Sequence, residues 1–211
     1  MPRPRVIVHT AISLDGRIDG FEPDVAVYYE LIGTWNEGAT LCGSETILAA
    51  EPQPDPTDAA PPESADPDDG RPLLAVVDSR GRVRSWKRLI RAGHWRAGLA
   101  LCSNSTPAEH LAYLRDQNIA YEIAGSDRVD LGTALAALAE RGVECVRIDA
   151  GPTLNGLALR AGLVDELSLV VHPVISGEGR PFADGLDAAV AMRRISSEAR
   201  GELLWLRFAA D

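Results

Sequence analysis

The chain has 211 residues, 45% of them hydrophobic and 25% charged, which are values of a soluble globular protein long enough for one domain with a sizeable core. A net charge of −10 argues against nucleic acid as a partner, because that binding depends on Lys and Arg neutralising phosphates. No apolar run approaches the ~18 residues of a membrane span, and the start MPRPRVIVHT lacks the apolar core and cleavage site of a secretory leader, so a cytoplasmic protein is expected.

Runs rich in Val, Ile and Leu alternate with stretches of helical period, the pattern of an α/β fold. The expectation is a single domain over residues 1–211, with a mostly parallel central sheet, helices on both faces and an antiparallel hairpin at the C-terminus. Val6–Ile12 reads as the first strand, closed by the turn Ser13–Arg17 (SLDGR). A helix follows from Asp24 to Asn36, with Val27 and Leu31 toward the sheet. Ala39–Cys42 reads as a short strand and Gly43–Thr46 as the start of a short helix. The segment Glu51–Gly70 holds seven acidic residues, six prolines and no base, so it cannot bury apolar surface and is expected to be an exposed, mobile loop.

Leu73–Val77 is the next strand, ended by the turn Asp78–Gly81. A helix near Trp86–Ala92, a strand at Leu99–Cys102, a helix at Pro107–Gln117 with Pro107 in its first turn, and a strand at Ala120–Ala124 come after it. Leu131–Glu140 is amphipathic and leads into a strand at Val143–Ile148. A short helix at Leu154–Ala161, a strand at Glu166–His172 and two last strands near Arg193–Ser197 and Leu203–Phe208 complete the chain. The four tryptophans are expected in the core. Cys42, Cys102 and Cys145 read as buried thiols, and the scattered His9, His94, His110 and His172 give no spacing for a metal, so none is expected.

The stretch Val146–Gly179 carries the most chemistry. A strand stops at a Gly-Pro turn that opens into a helix, which leaves backbone N–H groups unpaired and aimed at one point. Gly151 and Pro152 suit such an opening, and Thr153 and Asn155 add side-chain donors beside it. Two readings stand: a receptor for a nucleotide diphosphate, and an ordinary strand-to-helix connection. Ligands of open α/β sheets gather beyond the carboxyl ends of parallel strands, so Ser13, Asp15, Gly43, Ser79, Asp149 and Gly151 are expected to share one crevice.

The string DAGPTLNGLALRAGLVDELSLVVHPVISGEG (149–179) resembles the reductase domain of riboflavin biosynthesis. SLDGR (13–17), GSETILA (43–49) and VVDSRGRV (76–83) agree with that family in order and spacing, so the resemblance covers most of the chain. It implies a dihydrofolate-reductase-like fold and an NADPH-dependent reductase that turns the ribosylamino group of a 2,5-diamino-6-ribosylaminopyrimidinone 5′-phosphate into the ribitylamino form. It also implies a homodimer.

By the same resemblance Ala11, Thr46 and Ser79 touch the nicotinamide cofactor, the backbone of Gly151, Pro152, Thr153, Leu154, Asn155, Gly156 and Leu157 wraps its phosphates, and Asp149 reaches the substrate. Arg80 beside Ser79 offers planar donors for a 2′-phosphate, which favours NADPH over NADH. Asp15 and Asp149 are the candidate acids, and each has a plainer role, Asp15 as a turn former and Asp149 as a helix cap. Thr46 has one too, as a first-turn residue. Asp165 and Glu166 are read as a solvated turn and strand start, and His172 as structural.

The chain departs from the family in two places. The substrate-side motif that usually follows the GSETILA helix is replaced by Ala50-Glu51-Pro52-Gln53, and the first helix lacks the basic residue many relatives carry. Two other readings therefore stay open: a reductase for a pterin or other heterocycle, with Glu30 as the acid, and a catalytically silent nucleotide-binding protein.

Overall fold

The computed structural model describes residues 3–50 and 70–210, so the acidic segment expected as a mobile loop lies outside the described residues except for Gly70. In chain order the elements are β1 (Arg5–Ser13), α1 (Val25–Ile32), β2 (Ala39–Gly43), α2 (Ser44–Ala49), β3 (Leu73–Val77), α3 (Trp86–Arg91), β4 (Ala97–Cys102), α4 (Ala108–Asp116), β5 (Ala120–Ile123), α5 (Leu131–Glu140), β6 (Cys145–Ile148), α6 (Pro152–Arg160), β7 (Glu166–His172), β8 (Met192–Arg200) and β9 (Leu203–Ala210). They form two compact units, one from Gly38–Glu144 and the other from Arg5–Glu37 with the chain from Cys145 onward.

The first unit is a parallel sheet in the order β5-β4-β3-β2. Side chains alternate between faces along a strand. One face sets Cys42, Leu74, Val76, Ala100 and Cys102 against Ile47 of α2, Trp86 of α3 and Leu114 of α4. The alternate residues Leu41, Ala75, Leu99 and Leu101 are as deeply buried. Helix α5 begins where Asp130 caps it, its carboxylate accepting from the Thr133 N–H at 2.7 Å. It buries Leu131, Ala134, Leu135 and Leu138, the apolar stripe its spacing predicts. Pro107 sits one position before the first turn of α4, extended at ψ 133°, rather than inside it.

The second unit runs β6-β1-β7-β9-β8, with β1 parallel to β6 and β7 and the hairpin β8–β9 antiparallel. Ile7, Val170, Leu203 and Trp205 pack against Leu31 and Trp35. Helix α1 is shorter than its sequence pattern, because Asp24 is its cap and the chain turns at Gly33. β6 pairs β1 only from Arg5 to Val8, whereas β7 follows β1 to Ser13. The flank of β1 beyond Val8 is therefore not covered by β6.

Glu166 corrects the sequence reading. It is 1% exposed, not solvated, and its carboxylate accepts from Arg207 Nε at 2.6 Å, Trp35 Nε1 at 3.1 Å and Arg5. Asp165 beside it accepts from the Val6 N–H at 2.7 Å. A carboxylate can be buried only when its lone pairs are taken up in this way. His172 is structural, as read: its Nε2 accepts from the Asp24 N–H at 2.9 Å, which seats the start of α1.

His9 is buried in a closed relay. The Tyr28 carbonyl can only accept, so His9 Nε2 donates to it (3.2 Å) and Nδ1 accepts from the Ser168 hydroxyl (2.9 Å); that oxygen accepts in turn from Trp205 Nε1 (2.8 Å). Burial first, and then the nearby Arg147, hold the His9 pKa down to about 4. The unfolded chain takes up this proton near pH 6.5 and the folded one does not, so stability falls as pH drops from 6.5 toward 4, by about 3 kcal/mol for this group. Urea denaturation from pH 7 to pH 4 is expected to show that loss, and His9→Gln to flatten it.

Candidate functional site

In the second unit the strand ends carry the chemistry. Gly151 is the cap of α6 and Pro152 its first residue. The N–H groups of Gly151, Thr153 and Leu154 make no hydrogen bond among the described residues. They lie at the positive end of the helix dipole, a setting that favours an anion. Arg180 adds a full cation: its Nη1 lies 3.6 Å from where a Cβ on Gly151 would stand. Asp19 fixes this arginine by accepting from its Nε at 2.6 Å and its backbone N–H at 2.7 Å. Sequence reasoning missed Arg180, which is 29 positions from Gly151.

Asn155 and Gly156 serve the helix rather than the opening. Asn155 is fully buried, and its Nδ2 donates to the carbonyls of Phe182 (2.7 Å) and Ala150 (3.2 Å), so the free donor expected from the sequence is spent internally. Gly156 faces the Asp184 backbone, where a Cβ would stand 1.8 Å from the carbonyl oxygen. Thr153 Oγ1 donates weakly to Asp184 Oδ2 at 3.4 Å. Leu154 is buried and Leu157 is 39% exposed.

Asp15 is a clamp. Its Oδ1 accepts from Ser13 Oγ (2.7 Å) and the Ser176 N–H (2.9 Å), and its Oδ2 from the Gly177 N–H (3.0 Å). The Ser13 hydroxyl foremost, with those amides, lowers its pKa to about 2. These three bonds give Asp15 the turn former's role.

Asp149 stands just past the end of β6, about one-third exposed. Its Oδ2 accepts from Arg147 Nη1 at 2.8 Å, and Arg147 is held in turn by Glu37, Nε to Oε2 at 2.6 Å. It does not cap α6, whose start has no side-chain cap. Burial alone would lower the Arg147 pKa, but Asp149, Tyr28 and Glu37 more than offset it and raise it. Ala11, half-buried on β1 beyond the end of β6, shares a face with Ile7, the register partner of Arg147.

In the first unit the loops after β3, β4 and β5 border an open pocket of about 300 Å³ lined by Ser79, Arg80, Ser105, Pro107, Asp127 and Arg128. Ser79 Oγ accepts from the Val129 N–H at 3.0 Å, which leaves its own hydrogen to donate. Buried Asp78 shapes the turn by accepting from the Arg82 and Val83 N–H groups at 2.7 and 2.8 Å, and Gly81 takes φ 63° where the turn meets His110. Arg82 Nη2 reaches Ser44 Oγ at 3.0 Å and Glu45 Oε1 at 2.7 Å, tying this turn to the start of α2. Thr46 is half-buried in that helix. Ser105, Asp127 and Arg128 were missed, although each lies in a polar cluster directly after a strand.

Glu30, the acid expected of a pterin reductase, is 67% exposed and pairs with Arg200 at 3.9 Å. Among the described residues no cluster of three His, Cys, Asp or Glu could hold a metal.

An α/β fold with a mostly parallel sheet and a C-terminal antiparallel hairpin is the architecture of dihydrofolate-reductase-like proteins, and solved structures agree on the fold. The riboflavin biosynthesis reductase Rib7 of Saccharomyces cerevisiae superposes with a TM-score of 0.74 at 19% identity, covering 99% of this chain and 90% of that one. A dihydrofolate reductase from Enterococcus faecalis gives 0.54 at 11% identity, covering 98% and 96%. Residues 4–206 match the RibD C-terminal domain, and the chain belongs to that family. A 2,5-diamino-6-ribosylamino-4(3H)-pyrimidinone 5′-phosphate reductase from Methanothermobacter thermautotrophicus is 33% identical over 87% of this chain and 85% of its own length. One of the same name from Archaeoglobus fulgidus is 30% identical over 83% of each.

Gly156→Ala is expected to cost about 1–3 kcal/mol, because the new methyl meets backbone rather than a movable side chain. Thermal denaturation would show it as a midpoint lowered by about 3–10 °C.

Proposed function

We propose that this protein is an NADPH-dependent reductase that converts the ribosylamino group of 2,5-diamino-6-ribosylamino-4(3H)-pyrimidinone 5′-phosphate to the ribitylamino group. The observation that carries the reading is the match, over nearly full length, to two reductases named for that substrate. The residues present fit the cofactor. In the second unit the unpaired amides of Gly151, Thr153 and Leu154 with the Arg180 guanidinium suit a diphosphate; in the first unit, taken by itself, the pocket bearing Ser79, Arg80 and Arg128 suits a phosphate. Thr46 and Ala11 are read as further cofactor contacts.

When bound, NADPH supplies a hydride, and the rest is the work of the chain. The open ribosylamine is an imine whose anomeric carbon accepts the hydride while its nitrogen takes a proton. Asp149, anchored through one oxygen on Arg147, accepts hydrogen bonds from the substrate and so orients it. Asp15 holds the loop bearing Ser176 and Gly177 by accepting from their backbone N–H groups. The reading carries a cytosolic enzyme and a homodimer; Ile195 and Leu204 on the terminal hairpin, 42% and 47% exposed, are apolar surface that a second copy would cover.

The test is to titrate purified protein with NADPH and NADH by fluorescence, then add the pyrimidine phosphate and follow loss of reduced-cofactor absorbance. Tighter NADPH binding and substrate-dependent loss are expected. Binding without oxidation would favour the silent nucleotide-binding protein, and failure to bind either nucleotide ends the reading. Arg128→Ala and Arg80→Ala should each weaken NADPH binding about tenfold or more while leaving NADH nearly unchanged, since each removes a charge-assisted contact that only the 2′-phosphate can use.

A further inference from the structure

We propose that Arg147, held by Glu37, is a positioning residue for the reduction: it grips one oxygen of Asp149 so that the other faces the hydrogen-bond donors of the substrate. This rests on the reductase reading above.

Arg147 and Asp149 are two positions apart at the end of a strand, so both side chains leave on the same face. The Arg147 side chain is 4% exposed and Glu37 8%, whereas Asp149 is 35% exposed. The guanidinium makes a two-toothed contact with Glu37, Nε to Oε2 at 2.6 Å and Nη2 to Oε1 at 3.3 Å, and turns its third nitrogen, Nη1, to Asp149 Oδ2 at 2.8 Å. A buried cation needs counter-charge, and Asp149 and Glu37 both supply it. Of the two carboxylates, Glu37 is buried with the arginine and Asp149 is the more exposed.

Asp149 Oδ1 makes no hydrogen bond among the described residues. It stands at the head of the Asp149–Gly151 turn, directly before the α6 amides. A carboxylate free to rotate would present either oxygen in many directions, while one anchored at 2.8 Å on a rigid planar fork presents one. The amino and hydroxyl groups of an aminopyrimidine ribotide are the kind of donor such an acceptor recognises. Lys at position 147 would keep the charge and lose the fork, so it could not serve both carboxylates with this geometry.

The experiment compares Arg147→Lys, Asp149→Asn, their combination, and Glu37→Gln with Arg147→Met, which removes both buried charges together and guards against loss of folding. With NADPH saturating, Arg147→Lys is expected to lower kcat/KM for the pyrimidine phosphate about 10- to 100-fold while nucleotide affinity stays within about twofold. The loss should not add to that of Asp149→Asn, because the second change removes what the first misplaces. The Glu37–Arg147 double variant should keep its thermal midpoint and show the same loss. Unchanged kcat/KM in a folded Arg147 variant, additive losses, or a loss confined to nucleotide binding would each overturn the proposal. If the unsubstituted protein does not turn the substrate over, the reductase reading itself fails and takes this proposal with it; that outcome is visible before any substitution is made.

Discussion

Strands of unequal length in a parallel sheet make a notch, and the second unit is organised around one. β6 pairs β1 for four residues and stops, while β7 follows β1 to its end. The chain leaving β6 must turn before it can cross to β7, and that turn is where Asp149 and the α6 amides appear. A longer β6 would bury these groups in ladder hydrogen bonds. The unused bonding capacity of backbone and carboxylate is thus a product of where pairing ends, and the buried Arg147–Glu37 pair below holds that end in place.

The electrostatics are local against an acidic whole. A net charge of −10 would repel phosphates from the surface at large, yet Arg180 in one unit and Arg80 with Arg128 in the other stand at strand ends. Asp19 steadies Arg180 by taking only its Nε and backbone N–H, and Asp127 lines the same pocket as Arg80 and Arg128. Away from the ends, charge is neutralised. His9 stays neutral in its relay, and Glu166 is enclosed by two arginines and an indole.

Local pattern made much of this legible. β3, β7 and α5 have the limits their periodicity and caps predict, and the hairpin and parallel strands follow from the alternation of element types. The motifs that carry the family resemblance put Gly151, Ser79 and Asp149 at strand ends correctly. What stayed hidden depends on partners far along the chain. Nothing near Glu166 announces Arg5 or Arg207, nothing near Arg147 announces Glu37, and Asn155 reads as a free donor until the Phe182 carbonyl closes on it. Asp15 reads equally as acid and as turn former until the amides of 176 and 177 are placed on it. Side chains in pairs of this kind carry no periodicity, so only the fold reveals them.

β1 lies inside its sheet, yet both of its neighbours are synthesised more than a hundred residues after it. The apolar segment Val6–Ile12 leaves the ribosome long before β6 and β7 exist to cover it, whereas the four strands of the other unit are consecutive in the chain and can zip together in order. Completion of the second sheet is thereby tied to the last third of the chain: β1 gains its two neighbours only once β6 and β7 have been made.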